Sequence, residues 1–298
     1  MSLVVLHPGI SSRVVDQGRP GSRSLGVPVG GAADRRARAL GNALLDNAPD
    51  AAALEICSQG PRLRAETDTA CALFGAPFTI HADGMPIEAG HTFSLRPGAE
   101  LRIGGTAAGM RAYLCVRGGF DVPLVLGSRD SLQPLQKGDV LPCEASNMHR
   151  RFCPLIQPSF PDEWTLRVLP GLQASLFDEA EWLQTYTAQV ASDRMGTRLQ
   201  GTPLAVPAGE MTSEPACPGT VQVTNDGQCI VLGVDAQTIG GYPKIAQVIR
   251  ADLDALGQIR PEQRIRFVLV SMEDAIQADR AALHELRGWT NRLRLGVA

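Results

Sequence analysis

The chain has 298 residues, 44% of them hydrophobic and 20% charged, the proportions of an ordinary globular protein with room for two lobes. The 31 acidic residues against 28 basic ones leave a net charge of −3, which argues against a nucleic-acid binder with its usual basic face. No apolar run reaches the roughly 18 residues of a membrane span, and the start, MSLVVLHPGISSRVV, lacks the basic segment and long apolar core of a signal peptide. A cytoplasmic protein with no membrane and no nucleic-acid partner is therefore expected. Cys57, Cys71, Cys115, Cys143, Cys153, Cys217 and Cys229 are odd in number, scattered and never at CxxC spacing. They read as reduced structural thiols, and with five unclustered histidines no metal site is expected.

In chain order, short strand-like words dominate. SLVVLH opens the chain, and DRRARALGNALLDN then reads as a helix capped by Asp34, with Ala37, Leu40 and Leu44 on one face. The words ALEIC, RLRAE, ACALFG, ELRIG and AYLCVRGG follow as strands, with period-2 alternation in Leu101/Ile103. Glu55 in ALEIC sits among apolar neighbours. A buried carboxylate must be paired, and Arg117 or Arg129 is a natural partner. Gly118 and Gly119 permit a bulge or the close approach of two chain segments.

The proline-rich stretch CPLIQPSFPDEW, 153–164, is the best internal boundary, separating lobes 1–152 and 165–298. Beyond it, TLRVLPG, GTVQVT, CIVLGV and RIRFVLV read as strands, with Val221/Val223 alternating and Asn225, Asp226 and Gly227 able to take the positive φ of a hairpin turn. Helices are expected at SLFDEAEWLQT, at KIAQVIRADLDAL and at MEDAIQADRAALHEL. Many short strands with turns every ten or so residues make a mainly β fold of barrels or sandwiches.

Several chemistries are absent. GGTAAG at 104–109 has Walker-like glycines without the Lys-Ser/Thr that must follow. GxSxG, GxGxxG and the Ala-Met-Lys-Met biotin signature do not occur, so any biotin must come from another chain. The candidates that remain are charged residues in turns. Asp16 and Arg19 in DQGRPG read either as an ion pair inside a tight loop or with Arg19 gripping a carboxylate or phosphate. Asp34 is a cap or a ligand contact, Arg129 follows the glycine turn LGS, and Arg194 in SDRMG is an anchor for the second lobe. In QTIGGYPK, Gly240 and Gly241 suggest a turn and Pro243 the first turn of a helix. Lys244, one of two lysines beside 26 arginines, would then oppose the helix dipole, which points to an anion beside it, either a side chain or a ligand.

Four stretches, VDQGRPGSRSLGVPVGGAAD, VRGGFDVPLVLGSRDS, LRVLPGLQ with SDRMGTRLQG, and QTIGGYPKIAQVIRADLDALGQIRP, together resemble the family variously called KipA, allophanate hydrolase subunit 2 or the 5-oxoprolinase C subunit. The resemblance covers about residues 10 to 275 in the family's order. It departs at Val15, Gly30, Ile239 and SRDS, and in a shorter segment after Arg129. The resemblance implies a cyclophilin-like β-barrel architecture in two packed lobes. It also implies a KipI-type partner (the 5-oxoprolinase B subunit), a LamB/YcsF-type partner (its A subunit) and ATP used by the whole complex to open 5-oxo-L-proline to L-glutamate. On that reading Lys244, Arg129 and Arg19 are the expected catalytic residues. Gln237, Thr238, Gly241, Tyr242, Asp16, Ser128 and Asp34 are expected to bind substrate. Two alternatives stay open: a carboxyltransferase acting on urea or a related amide with biotin on another chain, and a non-catalytic KipI-binding regulator of a sensor kinase.

Overall fold

The computed structural model describes residues 1–154, 160–207, 209 and 211–296. Part of the expected boundary, 155–159, lies outside the described residues. The chain forms two compact units, one of Met1–Gly18, Asp34–Phe160 and His284–Ala298, the other of Arg19–Ala33 and Pro161–Leu283.

The first unit holds β1 (Ser2–His7), β2 (Ser11–Val15), α1 (Arg35–Leu44), β3 (Ala53–Cys57), β4 (Arg62–Ala65), β5 (Thr69–Gly75), β6 (Phe78–Ala82), β7 (Met85–Pro86), β8 (Thr92–Leu95), β9 (Glu100–Thr106), β10 (Arg111–Val116) and β11 (Val140–Pro142). Two sheets result, ordered β11-β1-β4-β9-β6-β7 and β2-β3-β10-β5-β8. Alternation builds their common core. Leu63 and Leu101 are paired across β4 and β9 and buried, while Arg62, Arg64, Glu100 and Arg102 face outward. Val5, Leu54, Ile56, Leu73 and Leu114 join them in one apolar cluster. Helix α1 packs on β5 and β10, and Asp34 caps it as expected, accepting the Ala37 N–H at 2.9 Å.

The second unit holds β12 (Glu163–Pro170), α2 (Glu179–Trp182), β13 (Thr185–Ala188), β14 (Gly196–Gln200), β15 (Glu214–Pro215), β16 (Thr220–Val223), β17 (Cys229–Leu232), β18 (Ile239–Gly240), β19 (Lys244–Val248), α3 (Leu253–Leu256) and β20 (Arg264–Leu269). Helix α4 (Met272–Leu295) follows, passing into the first unit at His284. Seven strands close a barrel in the order β12-β19-β16-β17-β14-β13-β20. The closing pair is parallel: Leu166 lies opposite Phe267, and both are buried. β15 and β18 form a separate two-stranded ribbon. The protein is thus mainly β, with a closed barrel and few helices.

Three local expectations are corrected. KIAQV is strand β19, and only Arg250–Asp252 and Leu253–Leu256 are helical. Its stripe fits a helical period, but β-branched Ile245 and Val248 also suit a strand, and pairing with β12 and β16 on both sides decides the outcome. SLFDEAEWLQT shrinks to a 3-10 turn at Ala174–Leu176 and the single turn of α2. In the β16–β17 hairpin, only Gly227 takes a positive φ, 78°. Cys57, Cys71, Cys115, Cys143, Cys217 and Cys229 are free thiols, and no helix among the described residues is long and apolar enough to cross a membrane.

Candidate functional site

In the first unit the DQG and GSRD motifs meet at one carboxylate. Asp16 Oδ1 accepts the Gly18 N–H at 2.8 Å and the Ser128 hydroxyl at 2.5 Å, and Oδ2 accepts the Arg129 N–H at 2.6 Å. Asp16 and Ser128 are both buried, so this carboxylate is occupied by the fold itself. The clamp fixes the backbone from which Arg129 projects. Its guanidinium Nη2 reaches Asp121 at 2.7 Å, whereas its Nε is buried with no hydrogen-bond partner among the described residues. Arg129 lines a cavity of about 490 Å³ with Asp50, Gly118, Gly119, Asp121 and Glu144.

Glu55 is buried as expected, but its partners are not Arg117 or Arg129. The Tyr113 hydroxyl donates to Oε2 at 2.7 Å, and Arg111 lies 3.5 Å from Oε1. Arg111 and Tyr113 alternate with apolar residues along β10, directly across from Cys57 and Glu55 on β3. The register, which sequence alone does not supply, selects them. The Tyr113 oxygen in turn accepts the Asp34 N–H at 2.7 Å. Burial, then the neighbouring Glu55 and Asp34 charges, push the phenol well above its ordinary range, so it remains a donor. Asp34 is therefore engaged through its side chain as a cap and through its backbone in this network.

In the second unit Arg194 forms a fork with Asp235, Nε and Nη2 donating at 2.7 and 2.8 Å, and Nη2 also donates to the Gly31 carbonyl at 2.8 Å. SDRMG thereby holds the VGG segment that leads out of the first motif, where the Gly30 N–H also bonds the Val234 carbonyl at 2.9 Å. Arg19 is buried, and its N–H bonds the Val29 carbonyl at 2.6 Å.

The LPGLQ and QTIGGYPK motifs meet at Lys244. Gln173 Oε1 accepts the Lys244 N–H at 3.0 Å, and the Gln173 N–H returns to the Lys244 carbonyl at 3.0 Å. Gly171 permits this approach, because a Cβ there would lie 2.2 Å from the Lys244 oxygen. The buried ammonium reaches the Gly240 carbonyl at 3.0 Å, the Tyr242 carbonyl at 3.3 Å and Glu214 Oε2 at 3.4 Å. Gln173 Nε2 also donates to Glu214, at 3.1 Å.

The expected helix-dipole conflict at Lys244 is absent, because Lys244 begins a strand. An anion does sit beside it: the Glu214 side chain. Lys244 ties both strands of the β15–β18 ribbon to the barrel. Neither Gly240 nor Gly241 takes the positive φ expected of a turn; each is instead in close approach, to Gln222 Nε2 and to the Met211 carbonyl respectively. Thr238 is buried, its carbonyl accepting the Ala216 N–H at 2.9 Å. Gln237 reaches Gln222 Oε1 at 3.5 Å. The Tyr242 side chain is on a different wall, lining a cavity of about 360 Å³ with Arg198, Asp226 and Gln228.

Gln173, Glu214 and Gln222 are the residues that sequence reasoning misses. Gln173 ends the LRVLPGLQ motif and Gln222 is a lone polar residue between Val221 and Val223, while Glu214 carries no signal. The GGTAAG segment is the end of β9 followed by a turn, with Gly104 against Thr79, so a nucleotide's phosphates find no Walker-type loop there.

The family described as carboxyltransferase domain, subdomain A and B, matches residues 25–269, and the chain belongs to it. It is 36% identical over 306 residues to the 5-oxoprolinase C subunit of Escherichia coli K12, covering 96% of this chain and 98% of that one. The protein of the same name in Haemophilus influenzae is also 36% identical, over 282 residues, 90% of this chain and 91% of that one. Among solved structures, the Kluyveromyces lactis urea amidolyase superposes with a TM-score of 0.88 at 27% identity. The match covers 97% of this chain but only 20% of that one.

Proposed function

We propose that this chain is the C subunit of an ATP-dependent 5-oxoprolinase, opening 5-oxo-L-proline to L-glutamate together with a KipI-type partner and a LamB/YcsF-type partner. The observation that carries this reading is end-to-end correspondence with two proteins named as 5-oxoprolinase C subunits, at 36% identity. Hydrolysis of a lactam requires its carbonyl to be polarised and the substrate carboxylate to be held. The cavity that Arg129 lines supplies a cationic donor of that kind. With no Walker-type loop in this sequence, the nucleotide is assigned to the assembled complex and not to these residues alone.

The test is reconstitution. The chain is mixed with its two partner proteins, ATP and 5-oxo-L-proline, and glutamate and ADP are measured. Both products should form with all three chains present and fall to background when this one is left out. Equal rates without it would refute the proposal.

A carboxyltransferase reading, with biotin on another chain and a urea-like amide as acceptor, is supported by the likeness to urea amidolyase. It is the weaker reading, because this chain corresponds to only a fifth of that protein. Carboxylated product from carboxybiotin and urea would favour it.

A further inference from the structure

The outer face of the first unit's six-stranded sheet carries a cavity of about 750 Å³, lined in part by Arg62, Thr79, His81, Arg102, Gly104 and Gly105. Strand register builds its cationic side. Arg62 on β4 lies directly opposite Arg102 on β9, and Arg102 lies opposite His81 on β6. Three basic side chains thus stand in one row across neighbouring strands, which run about 4.8 Å apart. Like charges placed opposite each other destabilise a sheet, so strand pairing gives no reason for Arg62 beside Arg102.

The floor beside this row is bare backbone. At Gly104 a Cβ would stand 2.2 Å from the Thr79 hydroxyl oxygen, which accounts for glycine there. At Gly105 a Cβ would meet only the Ser58 carbonyl oxygen, at 3.7 Å, and the φ is not positive, so neither crowding nor backbone conformation calls for glycine. Asp83 and Glu100 also line the cavity, but each has a partner within the fold. Asp83 takes a φ of 48° in the turn between β6 and β7, and its Oδ1 accepts the Glu100 N–H at 2.8 Å. Glu100 Oε2 in turn lies 3.8 Å from Arg62 Nη2. The Arg102 guanidinium, the His81 ring and the Thr79 hydroxyl have no hydrogen-bond or ion-pair partner among the described residues. The charge left without a partner is therefore a cation, Arg102.

We propose that this cavity binds a phosphoryl group, with Arg62 and Arg102 flanking it and the Thr79 hydroxyl and His81 imidazole as further donors. A carboxylate has two oxygens and is saturated by one guanidinium fork. A phosphoryl group has three terminal oxygens and takes donors from several strands at once. The volume falls within the range of small-molecule sites, about 300–1,000 Å³, so the ligand is inorganic phosphate or the tail of a nucleotide. Resting on the proposed function, the nucleotide is the ATP that the assembly consumes. The first glycines of GGTAAG serve here as floor, and the donors are side chains from three strands rather than backbone N–H groups at a helix N-terminus.

Every group named belongs to this chain, so the full chain is tested by itself. Isothermal titration calorimetry with ATP and with inorganic phosphate is run at about 0.15 M salt, where attraction between separated surface charges is largely screened. Arg102→Gln should weaken binding about 10- to 100-fold through loss of a charge-assisted contact. Its unfolding midpoint should be unchanged or raised, because a like-charged neighbour is removed. Arg64→Gln removes an equal charge from the same face of β4, from a residue paired with Glu66 at 3.0 Å, and should change affinity less than about 2-fold. Arg102-dependent binding of ATP assigns a nucleotide tail, and Arg102-dependent binding of phosphate without ATP assigns the free ion. Absence of binding by both probes, binding that survives Arg102→Gln, or an equal loss in Arg64→Gln would overturn the site. None of these readings needs glutamate to form, so a failed site leaves the proposed function standing, and an inactive assembly leaves the site standing.

Discussion

Ser128 donates its hydroxyl to Asp16 Oδ1 at 2.5 Å while the next residue's N–H donates to Oδ2 at 2.6 Å, so one buried carboxylate joins two motifs 112 positions apart. The charge is satisfied by short donors on both oxygens, and Asp130 N–H closes on the Ser128 oxygen at 3.0 Å. Asp16 and Ser128 thus belong to the frame that presents Arg129. Ser128→Ala removes one donor from a buried charge and should cost about 1–3 kcal/mol in urea unfolding. Arg129→Ala should leave unfolding within about 0.5 kcal/mol of wild type, because its pair with Asp121 is largely exposed. It should still abolish most turnover in the reconstituted assay. Equal destabilisation by the two variants would contradict this division of roles.

Arg194 gives a second prediction. Its guanidinium is buried and spends three contacts on Asp235 and the Gly31 carbonyl. Arg194→Ala leaves Asp235 without its fork and should cost about 3 kcal/mol in equilibrium unfolding. Arg194→Lys keeps the charge but not the planar pair of donors, and should recover only part of that loss. Full recovery by lysine would show that charge alone matters at this position.

The strand alternation at Leu101 and Ile103 in β9, the Asp34 cap and the four motifs are legible in the sequence because each rests on local chemistry, whereas β16, read from Val221 and Val223 as alternating, is buried at all four of its positions. What the sequence does not disclose comes from long-range pairing. Ile245, Val248, Ile249, Leu253 and Leu256 keep helical spacing and so read Lys244 onto a helix; only the two barrel neighbours of β19 make it a strand. Glu55 draws the wrong arginine for the same reason: β3–β10 register selects Arg111 and Tyr113. Gln237 and Lys244 are legible as a motif, but Gln222 and Glu214, which complete their layer, lie 15 and 30 positions upstream respectively.

Alkaline pH should weaken the first unit. Burial raises the Cys115 thiol from 9.0 to about 12, only partly opposed by the nearby Arg38 charge. Above pH 9 the unfolded chain loses this proton while the folded one keeps it, so fewer protons are bound in the unfolded state and stability falls as pH rises. The slope is about 1.4 kcal/mol per pH unit for one such thiol, until the folded group also ionises. Below pH 9 the group contributes no pH dependence. Urea midpoints measured from pH 7 to 11 should bend downward near pH 9, and Cys115→Ala should make the bend shallower by one thiol's share, with Cys71, whose thiol burial also pushes up, supplying part of the rest. An unchanged bend in that variant would exclude Cys115 as its source.

Two glycine substitutions should act in opposite directions, for reasons that only the structure separates. At Gly171 a methyl group would lie 2.2 Å from the Lys244 carbonyl oxygen and 2.7 Å from its carbon, so backbone would have to move away from backbone. That displacement breaks the Gly171 N–H bond to Ile245 and the Gln173 N–H bond to Lys244. Gly171→Ala should therefore cost about 3 kcal/mol, from overpacking plus the lost hydrogen bonds. Gly288 lies inside α4, and nothing stands within 4 Å of its would-be Cβ. Gly288→Ala should stabilise by about 0.5–1 kcal/mol, since alanine loses less conformational freedom in a helix. Urea unfolding of the two variants beside wild type decides the matter. A neutral Gly171→Ala would mean that the LPGLQ glycine does not set the distance between β19 and the turn after β12.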